Sequence, residues 1–225
     1  MKMERVYPFR DRHDAGRRLA QRLNPYKEAK DALVLALPRG GVVVGYEISL
    51  ALRLPLDVLV VRKLGAPWNP ELAMGALAET GNRHLNRDVI QSYNVSREEL
   101  EAEVQRQQQE IDRRIDKYRQ GRPLPPLNGR TVILVDDGIA TGATFYAALA
   151  ALLPMEPARR VAAVPVAPSR VLGDLKQMVD EVLILQTPEW FLGISQFYEA
   201  FPQVEDEEVI ACLEKARASL SSALQ

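Results

Sequence analysis

The run from Arg130 to Thr144, R-TVILV-DD-GIATGAT, limits what this chain can fold into more than any other stretch. Thr131 to Val135 is β-branched and apolar, with no polar alternation. A strand of that kind belongs in a parallel sheet covered by helices on both faces. Asp136 and Asp137 stand at its end, and Phe145 to Leu153 then reads as a helix. The glycines and small hydroxyl residues between them let the backbone turn tightly with its N–H groups outward, which makes an anion cradle at a helix N-terminus. Two acids beside such a cradle point to a ligand with an anion for the amides and hydroxyl donors for the carboxylates, as in a sugar phosphate. The acid pair alone also fits a solvated strand-to-helix turn with Thr141 or Thr144 as N-cap.

The whole string VILVDDGIATGAT resembles the 5-phosphoribosyl-1-pyrophosphate (PRPP) signature of the type I phosphoribosyltransferases. The resemblance implies that Asp136 and Asp137 hold the ribose 2′ and 3′ hydroxyls. It places the 5′-phosphate in the loop Gly138, Ile139, Ala140, Thr141, Gly142, Ala143 and Thr144, on the backbone of Ala140 to Thr144 and the two threonine hydroxyls. Gly138 departs from the family, which has an aliphatic residue there, and is expected to loosen the turn without removing a ligand group.

A second device of the same type lies upstream. Ala32 to Leu37 reads as a buried strand, Pro38-Arg39-Gly40-Gly41 follows, and Val42 to Leu52 reads as a helix. Paired glycines after a strand allow close approach to a ligand; a plain left-handed turn is the other reading. By the resemblance, Arg39 and the amides of Gly40 and Gly41 meet pyrophosphate, with a cis peptide between Pro38 and Arg39. Neither loop is a Walker A sequence, and neither has G-x-G-x-x-G spacing. A phosphoaspartyl mechanism on Asp136 or Asp137 ranks last, because two acids separated by one residue and followed by Thr do not occur here.

Asp57 to Val61 is expected as the next strand, ending in Arg62-Lys63. The string VVRKLGAP resembles the start of the mobile catalytic loop of orotate and adenine phosphoribosyltransferases, which implies that Arg62 and Lys63 are catalytic. Two cations there would stabilise charge on departing pyrophosphate; an ordinary solvated pair is the alternative. From Leu64 to Tyr93, Gly, Pro and Asn recur, as in a lid with a β-hairpin that closes over the substrate. Ser96 and Glu99 form a capping box for a helix through Tyr118, whose apolar stripe is Leu100, Val104, Ile111, Ile115 and Tyr118. Its interleaved Arg, Glu and Asp suit a solvated face with i, i+4 pairs, or a dimerisation arm.

Arg160 to Val166 and Glu181 to Leu185 read as further strands around a helix from about Ser169 to Met178. In the N-terminal stretch, Asp14 is expected to cap a helix through Leu23, and His13 reads as a surface residue. After the last strand, Trp190 and Phe191 are candidates to stack on a flat acceptor. The resemblance here is to the hood of hypoxanthine-type enzymes. Asp206 to Leu220 reads as a terminal amphipathic helix with Cys212 buried in it.

These readings make residues 1 to 225 one α/β domain of the type I phosphoribosyltransferase fold. A core at about 30 to 186 carries a roughly five-stranded parallel sheet flanked by helices. A flexible lid and helical insertion lie at about 64 to 128, and a small hood comes from the N-terminal segment and about 187 to 225. The implied reaction moves the 5-phosphoribosyl group from PRPP to a nitrogenous base or similar acceptor with release of pyrophosphate. Mg²⁺ is bound mainly through PRPP and pyrophosphate, so no protein metal ligands are assigned. A non-catalytic PRPP- or nucleotide-binding regulator is the alternative. The acceptor stays open, because Ala140 stands where hypoxanthine and guanine enzymes carry an acid. A formal net charge of -1 gives no footprint for nucleic acid or an anionic membrane. One cysteine and no apolar span suggest a cytoplasmic protein, expected as a homodimer.

Overall fold

In the computed structural model, which describes residues 8 to 223, the apolar run at 131–135 is the middle strand of a five-stranded parallel sheet. In chain order the elements are α1 (Arg12–Arg22), β1 (Ala32–Ala36), α2 (Gly40–Leu52), β2 (Leu56–Val58), β3 (Val61–Ala66), β4 (Asn69–Ala78) and β5 (Arg83–Leu85). They continue as α3 (Arg87–Ser92), α4 (Arg97–Arg119), β6 (Thr131–Val135), α5 (Ala143–Leu152), β7 (Arg159–Val166), α6 (Leu172–Met178), β8 (Glu181–Gln186) and α7 (Asp206–Ala223). The sheet runs β2-β1-β6-β7-β8, with Ala32 opposite Thr131 and Thr131 opposite Arg159.

Every residue of β1 and β6 is buried, as their unbroken apolar sequence demands. Successive side chains point to opposite faces. Val34, Ala36, Ile133 and Val135 join a core with α1, α2 and α7, while Leu33, Leu35, Val132 and Leu134 join a second core with α5 and α6. Each such Leu, Ile or Val contributes about 1.5–3 kcal/mol by leaving water. Parallel strands end at one edge, so the loops after β1 and β6 lie side by side.

Three local expectations change. The cap of α1 is Asp11, whose extended backbone lets its carboxylate accept from the Asp14 N–H at 2.7 Å. Asp14 sits inside the first turn and pairs with Arg18 at 2.7 Å. The expected strand 57–61 is split: β2 stops at Val58, and β3 opens at Val61 in a separate antiparallel sheet of order β3-β4-β5. The buried Leu59 and Val60 keep the sequence apolar across the break and so conceal it. Arg62 and Lys63 therefore lie inside a strand of the second sheet instead of ending one of the first.

The stretch expected as a lid with a hairpin holds that three-stranded sheet and the capped α3; the third strand and the helix go beyond what the sequence reading anticipated. Leu64 and Leu77 pack with Val104 and Ile111 of α4, whereas Val61, Ala76 and Ala78 pack with Phe145 and Leu149 of α5. The small sheet is thus held between α4 and α5. The Ser96–Glu99 capping box is present, with N–H to side-chain distances of 3.1 and 2.8 Å.

The N-terminal segment joins the stretch after β8 by backbone bonds. The Phe9 N–H donates to the Phe197 carbonyl at 2.8 Å, and the Glu199 N–H donates to the Phe9 carbonyl at 2.8 Å. Phe9, Ala15, Val166, Phe197 and Tyr198 make a third, small core there. Cys212 is buried in α7, its thiol pushed up to about 11 by burial first and the nearby Glu208 charge second. Among the described residues, no helix is long and apolar enough to cross a membrane.

Candidate functional site

At the end of β6, Asp136 and Asp137 face the loop that follows β1. The Leu37 N–H donates to the Val135 carbonyl at 2.9 Å and ties the two strand ends together. The Pro38–Arg39 peptide is cis, and α2 begins at Gly40. A Cβ on Gly40 would overlap Oδ2 of Asp137, and one on Gly41 would lie 2.9 Å from the Asp136 Cα and the Val135 carbonyl oxygen. The glycine pair is therefore the condition for the two loops to touch. Arg39 turns its guanidinium to Glu205 at 3.1 Å and Asp206 at 4.0 Å, at the start of α7.

The acids are held from behind by residues that sequence reasoning did not select. Arg12 Nε donates to Asp137 Oδ2 at 2.7 Å, and its Nη1 donates to the Pro202 carbonyl at 2.7 Å. Its guanidinium lies 3.6 Å from the centroid of the Phe201 ring. The Tyr198 hydroxyl donates to the Asp137 carbonyl at 2.7 Å, and the Asp137 N–H donates to Asp136 Oδ1 at 2.8 Å. In the sequence, Arg12 is one basic residue in a cluster near a helix start, and nothing local links it to Asp137.

Burial, then the charge of Asp137, holds the Asp136 carboxyl well above the usual carboxylate range. Burial also raises Asp137, with the Arg12 guanidinium opposing it. Two desolvated carboxylates side by side repel further negative charge and call for hydrogen-bond donors. Neutral hydroxyls meet that demand.

The loop 138–144 forms the rest of the site. α5 starts at Ala143 with Gly142 as N-cap, and no side chain caps it. That removes the reading of Thr141 or Thr144 as the N-cap and leaves the first amides of α5 available to an anion. Gly142 has φ of 87°, and a Cβ on it would overlap the Tyr146 ring, so glycine is required twice over. Gly138 also has a packing reason to be glycine: a Cβ there would lie 2.8 Å from Ile194 Cγ2 and 3.1 Å from Val166 Cγ1. The smallest residue is needed because Ile194 occupies the space. Asp136, Gly138 to Phe145 and Ile194 line a cavity of about 150 Å³. Arg170 Nη2 donates to the Ala140 carbonyl at 3.2 Å and braces the loop from outside.

The remaining candidates are dispersed. Arg62 faces α4, with Nε donating to Gln107 Oε1 at 2.9 Å, and burial, then the charge of Arg114, lowers its pKa. Lys63, one residue on, lies on the opposite face of β3, the face of Val61 that meets α5. Phe191 stacks on Phe197 at 5.4 Å, inside the small core, whereas Trp190 is 87 % exposed. His13 Nδ1 contacts Glu47 Oε1 at 2.8 Å.

A covered parallel sheet, with an acid pair and an amide cradle after its central strand and a glycine loop after the neighbouring one, is the type I phosphoribosyltransferase fold. The model of the phosphoribosyl transferase domain matches residues 3–202, and the chain belongs to that family. A protein of Mycobacterium tuberculosis H37Rv named "Putative phosphoribosyl transferase Rv0571c" is 45 % identical over 215 residues. The match covers 96 % of this chain and 48 % of that protein, so the chain spans about half the length of the curated relatives it matches. The crystal structure of TT1426 from Thermus thermophilus is 42 % identical, covers 92 % of this chain and 98 % of that one, and superposes with a TM-score of 0.77. A Neisseria gonorrhoeae protein solved with bound ppGpp, 14 % identical with a TM-score of 0.50, shares the fold over 99 % of this chain and 98 % of its own.

Proposed function

We propose that the protein binds PRPP across the ends of β1 and β6 and transfers its 5-phosphoribosyl group to a nitrogen of a base or similar acceptor, releasing pyrophosphate. The observation that carries this reading is the close packing of Gly40 and Gly41 against Asp137 and Asp136, beside the uncapped start of α5. Hydroxyl acceptors and two sets of backbone phosphate donors meet at one place.

In this reading Asp136 and Asp137 accept hydrogen bonds from the ribose 2′ and 3′ hydroxyls, and the amides of Ala140 to Thr144 take the 5′-phosphate. Gly40 and Gly41 present N–H groups to pyrophosphate, and Arg39 joins them by leaving Glu205, which is itself exposed. As the bond at ribose C1 lengthens, positive charge grows on the sugar and negative charge on pyrophosphate. The acid pair stabilises the first. Lys63, on the α5 side of β3, is the cation we assign to the second. Trp190 is the ring we assign to the acceptor, since Phe191 is engaged by Phe197.

Mg²⁺ fits this site: Asp136 lines the cavity, and a carboxylate is the oxygen ligand that this ion takes directly or through water. Bound to pyrophosphate, the ion would neutralise the leaving group.

Calorimetric titration with PRPP, with and without Mg²⁺, tests the binding claim. A pyrophosphate-release screen over purines, pyrimidines and small amines then tests the transfer. Release with one acceptor names the reaction, binding without release favours a regulatory protein, and absence of PRPP binding overturns the reading.

A further inference from the structure

A second cavity, of about 390 Å³, opens between β3 and α4 and is lined by Arg62, Arg106, Gln107, Gln109, Glu110 and Arg113. It shares no residue with the cavity over the acid pair. The two lie on opposite faces of the small sheet, since α4 packs on the Leu64 and Leu77 face and α5 on the Val61 and Ala76 face. What occupies the first therefore does not reach the second.

The charges around it do not balance. Glu110 is engaged by Arg113 at 2.8 and 3.0 Å and by Arg114 at 2.7 Å. Glu103 is engaged by Arg106 at 2.6 Å, by Gln107 at 2.9 Å and by the Gly65 N–H at 3.2 Å. Four guanidiniums thus face three carboxylates that are already occupied, since Asp206 also lies 3.7 Å from Arg113. Among the described residues, the half-buried Arg62 has one hydrogen bond, to the neutral Gln107, and forms no ion pair. Glu110 and Glu103 attract Arg62 only at a distance, because other guanidiniums hold them, and burial still lowers its pKa; an anion in direct contact with this partly desolvated cation relieves it.

The lining also specifies the ligand. Guanidinium forks match phosphate oxygens in pairs, and carboxamides supply donors and acceptors for neutral groups beside them. The volume lies within the range of small-molecule sites, about 300–1,000 Å³. We infer that the cavity between β3 and α4 is a second anion site, which takes the phosphate group of a phosphorylated small molecule through Arg62, Arg106 and Arg113. It is also wired to the pyrophosphate loop. Arg113 lies 3.7 Å from Asp206, which in turn meets Lys117 at 3.0 Å, Tyr118 at 2.5 Å and Arg39 at 4.0 Å. An anion that draws Arg113 inward takes a competing cation from Asp206, which also faces Arg39, so occupancy of one site changes affinity at the other.

The full chain is titrated calorimetrically with inorganic pyrophosphate and, separately, with ADP, at fixed ionic strength. The forms compared are the unchanged protein, Arg39→Gln, Arg106→Gln, and Arg62→Gln combined with Arg106→Gln. The expected result is a site that persists in Arg39→Gln and is weakened roughly tenfold or more in the double variant, as for loss of charge-assisted hydrogen bonds. Arg106 is exposed, so its single variant keeps the fold and by itself weakens the same site. Tighter binding of ADP than of pyrophosphate at this site makes a nucleotide the source of the phosphate; equal binding makes it the bare anion. Isotherms of the double variant that match the unchanged protein for both probes overturn the inference. PRPP titration of the same variants keeps this result separate from the reading of the acid pair.

Discussion

Arg12 Nε and Asp137 Oδ2 stand 2.7 Å apart, 125 positions away from each other in the chain. The bond does two things. It sets a cation against the burial that raises Asp137. It also fastens α1 to the acid pair, and through the Pro202 carbonyl and the Phe201 ring it brings the segment after β8 to the same point.

Replacing Arg12 by Gln takes away what opposes burial at Asp137, so its pKa rises further above the ordinary value. A protonated carboxyl accepts a hydroxyl poorly, so PRPP affinity falls and is lost progressively as pH decreases. The expected loss near neutrality is roughly tenfold to a hundredfold, recovering as pH rises, with Arg12→Lys in between. Calorimetry over a series of pH values is the check; a loss that does not change with pH would mean that Arg12 only supports the fold.

Replacing Asp136 and Asp137 together by Asn keeps size and removes both charged acceptors. PRPP binding is expected to weaken by about 3 kcal/mol or more, from the loss of hydrogen bonds to charged groups. Unchanged affinity in the same titration would remove the acid pair from the ribose site.

Gly138 and Ile194 are complementary, which makes them a pair for a double-mutant cycle. Gly138→Ala alone forces its new methyl group onto Ile194 and is expected to cost about 1–3 kcal/mol. Ile194→Ala opens space for that methyl, so the double variant is more stable than the sum of the single losses implies, by about 0.5 kcal/mol or more. Denaturant unfolding of the four proteins measures it, and strict additivity would show that the two residues do not share the space.

The α7 start predicts an acid transition. Burial would raise Asp206, but hydrogen bonds from Tyr118 and Lys117 outweigh it and hold the carboxyl at about 2. A folded-state pKa below the ordinary value contributes stability that is present above that value and lost as pH falls from about 4 toward 2. The contribution is about 2 kcal/mol. Asp206→Asn is expected to lower the unfolding free energy by that order at neutral pH, and by much less near the acid end, in denaturant melts. Parallel curves for the two proteins at all pH values would contradict this.

Much of this molecule follows from residues adjacent in the chain. The unbroken apolar runs at 32–36 and 131–135 demand strands buried on both faces, and each being followed by a helix favours a parallel sheet covered by helices. Ser96 with Glu99 determines where α4 starts, because a capping box closes within one turn. The acid pair, the cradle loop and the Pro38–Gly41 loop lie within short strings, although only the fold showed that no threonine caps α5.

Tertiary structure decided the rest. Leu59 and Val60 carry apolar sequence across the break between two sheets, so the chain alone does not show that Arg62 and Lys63 enter a second sheet and point to opposite faces. Ile194 explains Gly138 only after β7 and the segment beyond β8 have been folded over the cradle. Arg12 becomes part of the site only when α1 and the Tyr198–Pro202 segment close on Asp137. In each case the deciding contact joins residues far apart in sequence, and a side chain acquires its burial, and hence its charge state and role, from partners that only the packed fold brings near.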